Sequence, residues 1–238
     1  MTLGVIGGLG PLATACYLKL IIRMTEAKRD QDHIDMILYN CPHIPDRTEY
    51  ILGRSEESPA PEMIRIGQAL ARQGVDYIGI PCITAHYFHR ELTENISVPI
   101  IHAIHETGEE LSQNGIRKVG VMATDGTVQS GLFQEHLREM GIDVILPDER
   151  HQRYVMEIIY DNVKAGTPVD LDKFHRVSAH LLRQGAQINI LGCTELSLVK
   201  KDYPIGREFL DAMEVLAQRS VQLCGGKLKE KYRNLIEI

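Results

Sequence analysis

The segment ARQGVDYIGIPC (71–82) returns later in the chain as LRQGAQINILGC (182–193). In both, an amphipathic stretch closes on Arg-Gln-Gly, a short apolar run follows, and the run delivers a cysteine. The two cysteines are 193 − 82 = 111 residues apart. A second pair of segments keeps nearly the same offset: LGVIGGLGP begins at residue 3 and VGVMATDGT at 119, so 119 − 3 = 116. One helix–glycine–strand coincidence is common in α/β chains, but two in the same order indicate an approximate duplication. The chain is therefore expected to contain two similar halves, each ending one strand in a cysteine.

The rest of the pattern agrees. Apolar runs at 3–7, 35–40, 77–80, 98–104, 118–124, 143–147 and 188–192, with a weaker one at 207–212, alternate with helix-like stretches such as 13–22, 63–74 and 174–185. Short apolar strands separated by helices predict an α/β fold of mainly parallel sheets flanked by helices. Two pseudo-symmetric lobes are expected, with an active site in the cleft between them. The first should span 1–98 and be completed by 206–238, because the chain must return after GCTEL to LDAMEVLA; the second should span 99–205.

Composition removes several classes of partner. The 26 Lys and Arg against 32 Asp and Glu leave a net charge of −6, and KLKEKYR is the only basic run, so nucleic acid is not expected. MTLGVIGGLG lacks the charged region of a signal peptide, and no run reaches membrane-spanning length, so no membrane partner is expected either. Five cysteines without a regular framework point to a reducing cytoplasm.

In open α/β sheets ligands collect at the carboxyl ends of the strands. Two facing lobes would set Cys82 and Cys193 across a cleft there. Thr84 after the first and Thr194-Glu195 after the second can start helices, whose N-termini favour a thiolate and offer N–H donors to an anion. Three chemistries use opposed thiols. Redox exchange lacks CxxC spacing, and zinc needs further ligands that His86-x-x-His89 and His102-x-x-His105 do not obviously supply. The third is proton transfer at carbon, one thiolate taking a proton from one face and the other thiol returning one to the opposite face. Cys16, Cys41 and Cys224 have no matching partners and read as packing residues.

GGLGPLAT (7–14), PCITAH (81–86) and GCTEL (192–196), with IPDRTEYILG (44–53), YDNVKAG (160–166) and LDAMEVLA (210–217), resemble the cofactor-independent aspartate/glutamate racemase family, and its aspartate racemase branch most closely. The resemblance spans nearly the whole chain. It implies that Cys82 and Cys193 act as acid and base, that no cofactor or metal is needed, and that the protein is a homodimer. It also implies that Arg47 and Lys164 hold the carboxylates of an aspartate or glutamate substrate, with Leu9, Thr84 and Thr194 lining the pocket. A bidentate arginine suits such a carboxylate. The family usually has Asn after the first cysteine, where this chain has Ile83. An alkyl group can neither donate nor accept, so Ile83 is expected either to line the pocket or to turn into the core. The expected function is an amino-acid racemase. The alternatives are a non-catalytic protein that binds an acidic metabolite, or a related enzyme with a different substrate.

Overall fold

The computed structural model describes residues 1–236. Its short apolar runs become two all-parallel sheets. The first is built from β1 (Thr2–Gly7), β2 (Asp35–Asn40) and β3 (Tyr77–Gly79), in the order β2-β1-β3. The second comprises β4 (Lys118–Met122), β5 (Asp143–Ile145), β6 (Ile188–Leu191) and β7 (Phe209–Asp211), in the order β5-β4-β6-β7. Every ladder is parallel, with Leu3 opposite Tyr77 in one sheet and Val119 opposite Ile188 in the other. The inner strands β1, β4 and β6 are buried on both faces, which is why they read as unbroken apolar runs, whereas the edge strand β2 is only partly buried.

Two expectations change. The run at 98–104 makes only a single bridge, Ile78 opposite Ile100, and then enters the helix Ala103–Gln113. Pro99 has no N–H to donate to a ladder, and the His102 ring accepts the His105 amide at 3.2 Å, capping the helix. The second change concerns the segment from 206, which was expected to complete the first lobe. Its strand β7 pairs instead with β6 of the second sheet, Asn189 opposite Phe209. Beyond β7, the helix Ala212–Leu223 packs on the helices Pro11–Met24 and Ala103–Gln113. The tail then bonds back to the first half, through Glu26 N–H to Lys227 O at 2.7 Å and Lys229 N–H to Met24 O at 2.9 Å.

Burial follows the duplication. Ile6, Met63, Ile66 and Leu70 pack one outer core, and Met122, Val155, Phe174 and Leu181 pack the other. A third cluster joins the halves, bringing Leu3, Val5 and Tyr17 together with Val121, Phe133 and Met213. No helix among the described residues is long and apolar enough to cross a membrane.

Five histidines gather where the halves meet. His86, His89, His102, His136 and His105 form a chain of ring contacts with centroids 4.2 to 6.2 Å apart. Burial, then the charge of neighbouring histidines, depresses His86 to about 3 and His102 to about 2. Unfolded histidines bind a proton near pH 6.5, whereas these stay neutral until far lower pH. Their contribution is complete above that value and is lost as pH falls from about 6.5 toward 3, by up to about 1.4 kcal/mol per pH unit for each. Buried Asp211, raised to about 7 first by burial and then by Glu214, works in the opposite direction over part of this range. Comparing wild type with His102→Gln isolates the histidine contribution. Urea unfolding between pH 6.5 and 5 should show a shallower loss of stability on acidification in the variant; parallel slopes would contradict the assignment.

Candidate active site

Both cysteines occupy the position between a parallel strand and a helix. From β3 the chain runs through Ile80 and Pro81 to Cys82, which caps a 3₁₀ helix over Ile83–Phe88. From β6 it runs through Gly192 to Cys193, which caps the helix Thr194–Asp202. Each side chain is about 5% exposed (6% and 5%). Both border one chamber, together with Leu9, Arg47, Ile83, Thr84, Lys164 and Thr194, the other residues singled out in the sequence. The glycine-rich turn allows this. Gly8 adopts φ +95°, and a Cβ there would lie 2.5 Å from the Cys41 backbone.

The chamber is closed. Its free volume is about 20 Å³, enough for about one water. Next to it lies a vestibule of about 400 Å³. Leu9, Asp46, Arg47, Lys164 and Glu195 border both spaces and form the neck between them.

The two sulfurs have different surroundings. Burial opposes the Arg47 guanidinium charge, but Cys82 first, then Asp46 and Glu195, outweigh it and raise the Arg47 pKa. Cys193 Sγ donates to Glu195 Oε2 at 2.9 Å. Burial, then the Glu195 charge and this hydrogen bond, push the Cys193 thiol well above its usual range, so it carries its proton at neutral pH. Lys164 ends a π-helical turn over Ile158–Lys164, and its Nζ lies 4.0 Å from the Tyr160 ring centre. Burial opposes its charge, and Glu195 leads the groups that more than restore it.

Hydroxyl groups fasten the halves beside the chamber. Thr84 Oγ1 lies 3.1 Å from Thr124 Oγ1 and 3.0 Å from Thr127 Oγ1, and Thr48 Oγ1 donates to Thr124 Oγ1 at 3.4 Å. The Thr84 hydroxyl is therefore engaged across the junction. Ile83 is 2% exposed and belongs to the apolar cluster shared by the halves, while also bordering the chamber. Sequence reasoning missed Glu195 as more than a helix-starting charge, and it passed over Asp46, Tyr160 and Thr124. All lie within quoted motifs or directly beside them, but only the fold brings them together.

One group of metal-ligand type occurs among the described residues: Asp148, His151 and His180, away from the chamber. The two rings stack 4.0 Å apart at 17°. Imidazole lone pairs lie in the ring planes, so rings stacked this way do not converge on one ion.

The comparisons with known proteins agree with this geometry. Residues 6–219 match the model of the Asp/Glu/Hydantoin racemase family. The chain belongs to that family. A solved aspartate racemase from Picrophilus torridus is 32% identical, covers 98% of each chain and superposes with a TM-score of 0.87. A broad-specificity amino-acid racemase from Bacillus subtilis is 28% identical over 223 residues, 92% of this chain and 96% of the relative. A glutamate racemase structure from Aquifex pyrophilus is 25% identical with a TM-score of 0.59, over 94% of this chain and 83% of that one. The protein is an isomerase of the racemase type, with the two-lobed α/β fold of these relatives.

Two substitutions test the site's physics. Glu195→Gln removes the charge that holds the proton on Cys193, so site-resolved alkylation of Cys193 at pH 8 should accelerate; an unchanged rate would show that burial alone controls the thiol. Ile83→Asn places an amide in the shared apolar cluster, which should cost about 1–3 kcal/mol of stability in denaturant unfolding. An undiminished stability would show that the side chain faces the chamber instead.

Proposed function

We propose that this racemase inverts the α-carbon of a free amino acid with its two thiols and without a cofactor. The observation that carries the reading is that two buried cysteines, from corresponding strand ends of the two sheets, border one closed chamber. As a thiolate, Cys82 takes the α-proton; the C–H electron pair stays on carbon. Cys193, still protonated beside Glu195, then delivers its proton to the opposite face. The product leaves with Cys82 as thiol and Cys193 as thiolate, and the reverse reaction uses that state. Arg47 lies beside Cys82 as a counter-charge, and Lys164 beside Cys193.

The carbanion that forms between the sulfurs needs fixed positive potential. The two helix starts at Ile83 and Thr194 supply backbone N–H groups that no earlier turn uses, and the two cations add to them. The choice of aspartate or glutamate as substrate rests on Arg47 and Lys164 and on the aspartate and glutamate racemases among the relatives. The chamber is too small for any amino acid as it stands, so we further propose that the halves part to admit substrate. The moving units are 1–98 with the helix and tail after β7, and 99–211.

Cys82→Ser and Cys193→Ser decide between this mechanism and a site that only binds. Serine is too weak an acid to replace either thiol, so each variant should lose racemisation in both directions by several orders of magnitude, as followed by polarimetry. Unchanged turnover in Cys193→Ser would rule out the two-thiol mechanism. Binding without turnover in the wild type would favour the non-catalytic alternative.

A further inference from the structure

Away from the chamber, the helices Pro11–Met24 and Thr194–Asp202 and the start of the helix Ala212–Leu223 border a cavity of about 160 Å³. A cavity of about 150 Å³ holds a molecule the size of benzene. None of the residues bordering this one borders the chamber or the vestibule.

Its floor contains an incompletely satisfied carboxylate. Asp211 is 1% exposed and borders the cavity. Its Oδ1 accepts from Ser197 Oγ at 2.7 Å and from the Met213 amide at 2.9 Å. Its Oδ2 has no hydrogen-bond or ion-pair partner among the described residues. Lys200 acts on Asp211 through its charge alone, because its Nζ is held by Glu214 Oε2 at 2.8 Å. Burial, and then the Glu214 charge, outweigh Lys200 and raise Asp211 to about 7. A buried carboxylate with one oxygen open and its charge uncompensated is suited to a cationic donor.

The rim has the opposite need. Lys19 and Arg23 are one helical turn apart on Pro11–Met24, exposed at the edge of the cavity. Neither side chain makes a hydrogen bond or an ion pair among the described residues. Arg23 and Lys201 oppose one another's charge, and Lys201 has its own partner in Asp202 at 2.9 Å. On the same helix as Lys19 and Arg23, Leu20 and Cys16 add apolar wall, and Cys16 lies near enough to Asp211 for that charge to raise its thiol pKa, after burial. A lone cation in this cavity would meet Lys19 and Arg23, and a lone anion would meet Asp211. A short molecule with an ammonium at one end and a carboxylate at the other satisfies both.

We propose that this cavity is a second ligand site, which binds a small amino carboxylate with its ammonium on Asp211 and its carboxylate at Lys19 and Arg23. The occupant rests against Ser197, in the helix that Cys193 caps. The site is separate from the one that carries the two-thiol chemistry and stands without it.

Isothermal titration calorimetry of the full chain with β-alanine and γ-aminobutyrate provides the test, since neither has a stereocentre to invert. Both should bind saturably, and at least tenfold more tightly than acetate or ethylamine, which carry one charged end each. Lys19→Glu combined with Arg23→Glu reverses the rim at two exposed positions and should weaken binding at least tenfold, while Arg47→Ala in the chamber leaves it unchanged. No saturable binding, or acetate or ethylamine binding as tightly, would overturn the proposal. Binding lost in Arg47→Ala but kept in the Lys19→Glu, Arg23→Glu variant would assign the ligand to the chamber and overturn it as well. None of these outcomes decides the two-thiol reading, which the cysteine variants test separately.

Discussion

A parallel strand ends where the following helix begins, and that junction holds the backbone N–H groups that a helix leaves unused. Everything in this site depends on that constraint. Because each half is a parallel sheet, each delivers its helix starts along one edge, and the shared apolar cluster turns the two edges toward each other. Cys82 and Cys193 occupy corresponding junctions, so duplication of a single βα unit is enough to oppose two thiols. The asymmetry that chemistry requires is then local. Arg47 stands by one sulfur and Glu195 by the other.

The same architecture explains why the site is shut. The short helices Arg47–Ile51 and Asp125–Gln129 touch across the junction, and the approach is close: a Cβ on Gly126 would lie 3.0 Å from Thr48 Cα. The buried hydroxyls of Thr48, Thr84, Thr124 and Thr127 satisfy one another there. Neutral hydrogen bonds of this kind contribute about 0.5–1.5 kcal/mol each, enough to favour closure and weak enough to exchange for a ligand. In the mechanism we propose, a closed chamber would exclude water from the carbanion, and fixed charges would act on it more strongly in the lower dielectric.

Much of this was legible in the sequence, for identifiable reasons. Strands buried on both faces are continuous apolar runs, so INILG became β6 to within one residue; DMILYN became β2 over the same residues although this edge strand is only partly buried. The repeated Arg-Gln-Gly–strand–Cys unit located both thiols. Hydropathy could show that 207–212 forms a strand but not which open sheet edge would accept it, and β6 proved to be that edge. Pro99 and the His102 cap ended a run that hydropathy alone reads as a strand. Glu195 was harder still, since a carboxylate in the first turn of a helix is what the helix dipole favours in any protein. Its bond to Cys193 exists only in three dimensions. Thr124 likewise reads as a helix cap, and it is one, bonding the Thr127 amide at 3.3 Å; its contacts across the junction have no signature along the chain.

The central claim is that two different groups serve the two faces of the α-carbon. The most direct measurement is isotope incorporation in D₂O at low conversion, starting from a single unlabelled enantiomer of a turned-over substrate. If Cys82 and Cys193 each address one face, the newly formed enantiomer carries solvent deuterium while the remaining starting enantiomer keeps its protium. Deuterium appearing equally in both enantiomers from the start, or protium carried over into the product, would mean that one group serves both faces, and would contradict the account.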